Sequence, residues 1–208
     1  MIQKLRIHEL HHHVLSSWYE LKEDLPQVIT FDHHTDILPA FSDYTVLHGF
    51  PEDAGKDLEK DIERLQHDEH FSYALRHKII SGAVIISHTP AVTALEENLH
   101  VLYNADFSED EPLNSKLYKK YFDMALEDSF LEQFTEFLPQ ENYILDIDCD
   151  YFKTAESLVP EKCEIFRNLI HNARMITVSR EEDWVRLLTF EKPSEFTPEY
   201  IIDALRAL

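Results

Sequence analysis

Ile29-Thr30-Phe31-Asp32-His33-His34-Thr35-Asp36 sets four potential metal ligands directly behind a short apolar run. The stretch Gln27 to Phe31 reads as a buried strand whose polar residues spill into the loop at its C-terminal end. A second such segment, Tyr143-Ile144-Leu145-Asp146-Ile147-Asp148-Cys149-Asp150, lies far downstream. Side chains alternate on an extended chain, so Asp32, His34 and Asp36 can converge on one side, and so can Asp146 and Asp148. The competing reading, solvated loop acids in an acidic chain, accounts for one such run more easily than for two. The pair predicts two walls of one metal site.

Outward from these segments, apolar strand-like runs alternate with amphipathic stretches, which predicts an α/β fold with a mainly parallel sheet and residues 1–208 as a single domain. Strands are expected at Lys4-Ile7, Gln27-Phe31, Ala83-Ser87, Asn98-Tyr103, Tyr143-Asp148, Met175-Ser179 and Val185-Phe190. Helices are expected near Val14-Lys22, Asp57-His67, Ser115-Phe137, Glu161-Asn172 and Pro198-Leu208, the last with Thr197 as N-cap and Pro at the first helical position. His67-Asp68-Glu69-His70 and the acidic stretch from Asp106 to Glu111 read as loops. Open parallel sheets collect ligands outside the carboxyl ends of their strands, where both acidic motifs fall.

Oxygen-rich ligation with one or two imidazoles suits Mn²⁺, Mg²⁺ or Fe²⁺ better than a thiolate-loving ion. Carboxylates packed this closely repel one another unless cations lie among them, so two metals sharing bridging carboxylates are expected.

Asp32-x-His34-Thr35-Asp36 with Asp146-x-Asp148 resembles the metal-binding pattern of the ureohydrolases, the arginase and agmatinase superfamily, which shares its fold with the histone deacetylases. The segment Glu9-Leu10-His11-His12-His13-Val14-Leu15 stands where that family carries a further ligand His after an acidic residue, and His11, 21 positions before Asp32, fits it best among the three histidines. With Asp146-x-Asp148-x-Asp150-Tyr151-Phe152, the pattern is most similar to a short branch, the peptide arginases, which convert arginine side chains in peptides to ornithine. The resemblance runs from His11 to about Glu182. It implies a three-layer arginase/deacetylase-like fold and two Mn²⁺ held by His11, Asp32, His34, Asp36, Asp146 and Asp148, with Asp32 and Asp146 bridging. It implies a hydroxide shared by the two ions that attacks the guanidinium carbon and releases urea, Asp36 orienting it. His48, in Val46-Leu47-His48-Gly49-Phe50, stands where arginases carry a His-Gly pair and is the candidate proton shuttle. A guanidinium also needs a carboxylate in fork geometry. Glu181, ahead of Glu182, is the candidate because arginases place a Glu after the corresponding strand. The apolar run Ile37-Leu38-Pro39-Ala40-Phe41 offers no partners for the charged ends of free arginine, so an arginine-containing peptide is the expected substrate.

The remaining histidines carry weaker patterns. His12 and His13 are read as supporting or surface residues, and His33 as pointing away from Asp32 and His34. His67, His70, His77, His88, His100 and His171 have no ligand-like spacing and are read as ordinary surface or core positions.

Composition narrows the classes. Forty acids against 19 Lys and Arg give a net charge of −21, which disfavours nucleic acid and favours metal ions and cationic substrates. Three glycines leave no phosphate-cradling loop. No run of apolar residues is long enough to cross a membrane, and Met1-Ile2-Gln3-Lys4 is followed by no signal-peptide core. Cys149 and Cys163 are too few for a disulfide framework, so a cytoplasmic setting is expected, with Cys149 turned into the core. Two rival functions remain open: a deacetylase-like amidohydrolase using one metal, and a non-catalytic metal- or peptide-binding module. The oligomeric state is not readable from the sequence.

Overall fold

Four of the expected strands are apolar on both faces, the pattern of parallel strands covered on each side. The computed structural model describes residues 5–90, 97–103 and 116–208, and within them six strands form one sheet. They are β1 (Leu5–His8), β2 (Gln27–Asp32), β3 (Gly82–Ser87), β4 (Leu99–Leu102), β5 (Tyr143–Asp148) and β6 (Met175–Ser179). Their order is β1-β6-β5-β2-β3-β4, and every pairing is parallel. β2, β3, β5 and β6 are buried almost throughout, whereas the edge strands β1 and β4 are partly exposed.

Alternation divides the sheet into two cores. Ile29, Phe31, Leu145, Ile147, Ile176 and Val178 face a core closed by α6 (Asp128–Leu131), α7 (Glu164–Asn172) and α9 (Pro198–Ala207). Cys149 and Cys163 lie buried in that core, free and unbridged. Val28, Ile85, Ile144 and Met175 face the other way, onto α1 (Leu15–Trp18) and α4 (His70–Arg76). Burying Trp18 and Phe71 completely anchors this second layer, and truncating either to Ala would cost about 3–5 kcal/mol. The fold is therefore α/β, a single parallel sheet covered by helices on both faces. Among the described residues no helix is long and apolar enough to cross a membrane.

Several elements differ from the expectations. Val185-Phe190 is not a strand: α8 (Glu182–Leu188) occupies it, burying Val185 and leaving Leu187 69% exposed. A four-residue apolar run is ambiguous between the two periods, and the Val185 N–H bond to the Glu181 carbonyl selects the helix. The long helix expected over Ser115-Phe137 is broken into α5 (Lys116–Asp123), α6 and a 3₁₀ turn, Glu132–Phe137, because Glu127 is extended; Ser115 lies outside the described residues. The expected helix over Asp57-His67 shortens to α3 (Leu58–Ile62). Besides α8, two helices were not expected, α2 (Ser42–His48) and α4, which begins at His70 inside the anticipated loop. Asp106 to Glu111, Lys4 and Met1-Ile2-Gln3 lie outside the described residues. Thr197 caps α9 as expected, accepting from the Tyr200 N–H at 3.3 Å with Pro198 at the first position.

Candidate metal centre

Strand register, rather than alternation, sets the depth of each acid. Thr30, Asp146 and Thr177 lie level on β2, β5 and β6 and face the core that contains Trp18. One pleat nearer the strand ends, Phe31 pairs with Ile147, so the residues that follow, Asp32 and Asp148, emerge together, with Ser179 beside Asp148. Two rows result: a braced inner row around Asp146 and an outer row of acids at the mouth.

Both carboxylate oxygens of Asp146 are taken. Oδ2 accepts from Thr30 Oγ1 at 2.8 Å and Oδ1 from Thr177 Oγ1 at 2.5 Å, and Trp18 Nε1 donates to Thr177 Oγ1 at 3.2 Å. His11 Nε2 lies 2.7 Å from Asp146 Oδ2. The sequence reading made Asp146 a bridging ligand; the structure sets it behind His11, gripping the far side of the ring.

The near side of the ring looks onto the outer row. His11 Nδ1 is 2.8 Å from Asp36 Oδ2, 3.2 Å from Asp148 Oδ2 and 3.4 Å from Asp32 Oδ2. One imidazole nitrogen cannot serve three carboxylates with a single proton, and these donors could hold a cation. Asp36 reaches this position through a left-handed backbone, φ 48°, a conformation that Asp tolerates better than most residues. His11 is itself fixed from behind, because its N–H donates to Glu181 Oε1 at 2.7 Å. The Arg180 and Glu181 N–H groups bond the carbonyls of His8 and Glu9, tying the two loops together.

Next to this group lies another. His34 Nδ1 is 3.1 Å from Asp150 Oδ2 and 3.9 Å from Asp32 Oδ1. The His34 N–H also donates to Asp32 Oδ1, and the Asp150 N–H to Asp148 Oδ1 at 3.1 Å. Ligand atoms thus gather within 4.8 Å of one another in three sets: His11, Asp32 and Asp148; Asp32, His34 and Asp150; and His11, Asp36 and His70. Asp32 belongs to two of them. These buried clusters could hold metal ions, and the donors are oxygens and imidazoles, as for hard divalent cations.

Electrostatics agree with that chemistry. Burial, with Asp36 alongside, pushes the Asp32 carboxyl up to about 8, and burial raises Asp36 to about 6 against the pull of its His11 contact. Burial and the Asp150 charge raise Asp148 well above the usual range. Asp150 goes the other way: burial opposes ionisation, but Lys153 and the bond from His34 outweigh it. Burial would lower His34, yet Asp150 lifts it to about 9, and the Asp146 and Asp148 charges likewise overcome burial at His11. Lys153, only 2% exposed, donates to the Asp150 carbonyl and is lowered by burial to about 8. Carboxyls that keep protons near neutral pH are ones whose ionised form lacks enough nearby positive charge. Asp36 Oδ1 and His70 Nε2 are buried without a hydrogen-bond partner among the described residues. Asp32 Oδ2 and Asp150 Oδ2 have only their imidazole contacts with His11 and His34, and each of the four is a donor atom a cation would satisfy.

The chain matches no family model and no curated protein. The site therefore has to be read from its own geometry.

Of the residues the sequence singled out, the structure brings together His11, Asp32, His34, Asp36 and Asp148. Glu181 stands behind His11. His48 ends α2 on the exposed surface, its ring 4.7 Å from that of Tyr44, and does not line the cleft beside His34. Glu182 is exposed in the first turn of α8. His12 is buried next to His13, with burial lowering it to about 4. The His33 ring lies 4.7 Å from that of His34 and 5.8 Å from that of His88, so, contrary to expectation, it does not point away from His34. Asp150, Lys153 and His70 were not anticipated. Asp150 continues the sequence spacing of Asp146 and Asp148, a signal that was present, although it reaches the site from the 3₁₀ turn after β5. His70, its ring 4.3 Å from that of His11, comes from a helix with no such spacing.

Proposed function

We propose that this chain is a binuclear metal hydrolase of the ureohydrolase type that converts an arginine side chain in a peptide to ornithine and releases urea. The observation that carries the reading is the sharing of Asp32 between two adjoining ligand groups, one with His11 and Asp148 and the other with His34 and Asp150. A shared carboxylate between two donor sets fits a pair of cations better than the single ion of a deacetylase-like site.

In this reading His11, Asp36 and Asp148 would hold one cation, His34 and Asp150 the other, and Asp32, which belongs to both groups, would serve the pair. Bound there, two divalent cations, Mn²⁺ by preference, would supply Lewis acidity and a water acidified toward neutral pH. The chain's own contributions are distinct. Asp146 accepts the His11 Nε2 proton and so presents Nδ1 as a donor atom. Glu181 fixes the His11 backbone. The second oxygen of Asp36 is free to accept a proton from an attacking water and hold its lone pair toward the substrate carbon. A cleft of about 560 Å³ opens beside His34 and Asp36, within the size of small-ligand sites, with Ile37, Leu38, Pro90 and Trp184 in its wall. The apolar Ile37 and Leu38 favour an arginine whose α-amino and α-carboxyl groups are already in peptide bonds.

The test is incubation of the Mn²⁺-loaded protein with arginine-containing peptides and mass spectrometry of the product. A loss of roughly 42 Da per arginine, with equimolar urea, is expected from this reaction class. Lysine peptides should be inert. Deacetylation of an acetyl-lysine peptide without urea release would replace this reading with the single-metal alternative.

A further inference from the structure

The cleft beside the ligand groups carries an aromatic face and an acid that the metal chemistry does not use. Trp184, in the first turn of α8, is half-buried with its ring 4.9 Å from that of His34 and 6.2 Å from that of His67. Asp68 lines the same cleft. Its carbonyl accepts from the Leu38 N–H at 2.9 Å, which joins the two loops of the wall, and its carboxylate has no hydrogen-bond or ion-pair partner among the described residues. Glu181, the acid expected to meet a guanidinium, is committed to the His11 backbone and does not line this cleft.

We propose that Trp184 and Asp68 form the subsite that recognises a guanidinium side chain, the indole stacking on its planar face and the carboxylate accepting from its N–H fork. A guanidinium is planar and weakly hydrated, so it stacks on aromatic rings and pairs with carboxylates in a way an ammonium does not. The adjoining Ile37, Leu38 and Pro90 match the methylene stem that carries such a group. The net charge of −21 draws a cation toward the cleft from a distance. The inference rests on the arginine-directed reading of the metal centre and names the residues that would make it selective.

Binding and turnover separate the two claims. The chain has two tryptophans, and Trp18 is completely buried with its indole N–H on Thr177, so a ligand-induced fluorescence change reports Trp184. The Mn²⁺-loaded protein is titrated by fluorescence and calorimetry with N-acetylarginine amide, its neutral citrulline counterpart and N-acetyllysine amide. Saturable binding of the arginine compound is expected, with the other two weaker by at least about tenfold. Asp68→Asn and Trp184→Leu should each weaken it by about tenfold or more while leaving metal stoichiometry unchanged, and Trp184→Phe should recover part of the loss. No binding by the native protein, equal binding of citrulline, or native-like binding by both Asp68→Asn and Trp184→Leu would overturn the subsite. Urea release with KM unmoved in both variants rejects the subsite and keeps the hydrolase. Arginine-selective binding lost in both variants, without urea release, keeps the subsite and rejects the hydrolase.

Discussion

Asp146 holds His11 from behind: its Oδ2 is 2.7 Å from the ring Nε2, while Nδ1 on the opposite edge faces Asp36, Asp148 and Asp32 within 3.4 Å. An imidazole that donates from one nitrogen is left with a lone pair on the other, which is how a neutral histidine ligates a metal. In the proposed function Asp146 would therefore act on a bound cation through His11 rather than directly.

Asp146→Asn should weaken Mn²⁺ binding by roughly 10–100-fold, the usual cost of losing a residue that orients a ligand. Asp32→Asn, which removes charge from a position shared by two groups, should abolish most binding. Isothermal titration of both variants makes the comparison. If Asp146→Asn is as damaging as Asp32→Asn, then Asp146 ligates the metal itself, as the sequence pattern suggested.

Asp150 makes a complementary case. Its carboxylate belongs to the His34 group and not to the His11 group. Asp150→Ala is expected to drop bound Mn²⁺ from about two ions per chain to about one, by elemental analysis after dialysis. His11→Ala should also lose about one ion, and the double variant both. Two ions retained in Asp150→Ala would assign the second position to other residues.

How much of this was legible in the chain depends on whether one strand or two decides the matter. The i, i+2 spacing marks Asp32, His34 and Asp36, and Asp146, Asp148 and Asp150, as candidates. But β2 ends at Asp32 and β5 at Asp148, and His34, Asp36 and Asp150 reach the site from the loop and the 3₁₀ turn beyond. Which acid of the second segment meets Asp32 is a property of the pairing between β2 and β5, and no single-strand pattern contains it. That pairing sets Asp146 level with Thr30, in the inner row behind His11. The parallel sheet was legible because doubly buried strands such as β3 and β5 are uninterrupted apolar runs. Val185-Arg186-Leu187-Leu188 was not, since four residues cannot separate a period of 2 from one of 3.6. His70, Asp68 and Trp184 reach the site from separate elements whose approach is decided by tertiary packing alone.

Stability of the metal-free protein should fall between about pH 7 and 8. In that window histidines lowered by burial, such as His33 and His88, are largely neutral in both folded and unfolded chains, and Lys153, lowered to about 8, opposes the trend only toward its upper end. Asp32, raised to about 8, and His34, raised to about 9, still hold protons when folded that the unfolded chain has released. The folded state binds more protons, so raising the pH disfavours it, and the contribution of Asp32 is lost as the pH passes its folded value. Saturating Mn²⁺ should reverse the slope, because metal and proton compete for these oxygens and rising pH favours the metal. Thermal melts at several pH values with and without Mn²⁺ measure both slopes. A metal-free melting temperature that climbs from about pH 7 to 8 would contradict the proton-laden cluster.

Glu181 separates two roles for one residue. As a guanidinium partner it would touch substrate, so Glu181→Gln would raise KM while leaving metal binding intact. The structure instead has its Oε1 accepting the His11 N–H at 2.7 Å, with the backbone at φ 41°, so the side chain sits behind the ligand loop. Removing that acceptor leaves a buried N–H unpaired, at a cost of about 1–3 kcal/mol. Glu181→Ala should therefore lower the melting temperature and weaken metal binding together. Glu181→Gln, whose amide oxygen can still accept, should restore most of both. KM for an arginine peptide, measured at saturating Mn²⁺, should be nearly unchanged in Glu181→Gln. A large rise in KM with native melting temperature and metal affinity would move Glu181 from the brace of His11 into the substrate pocket.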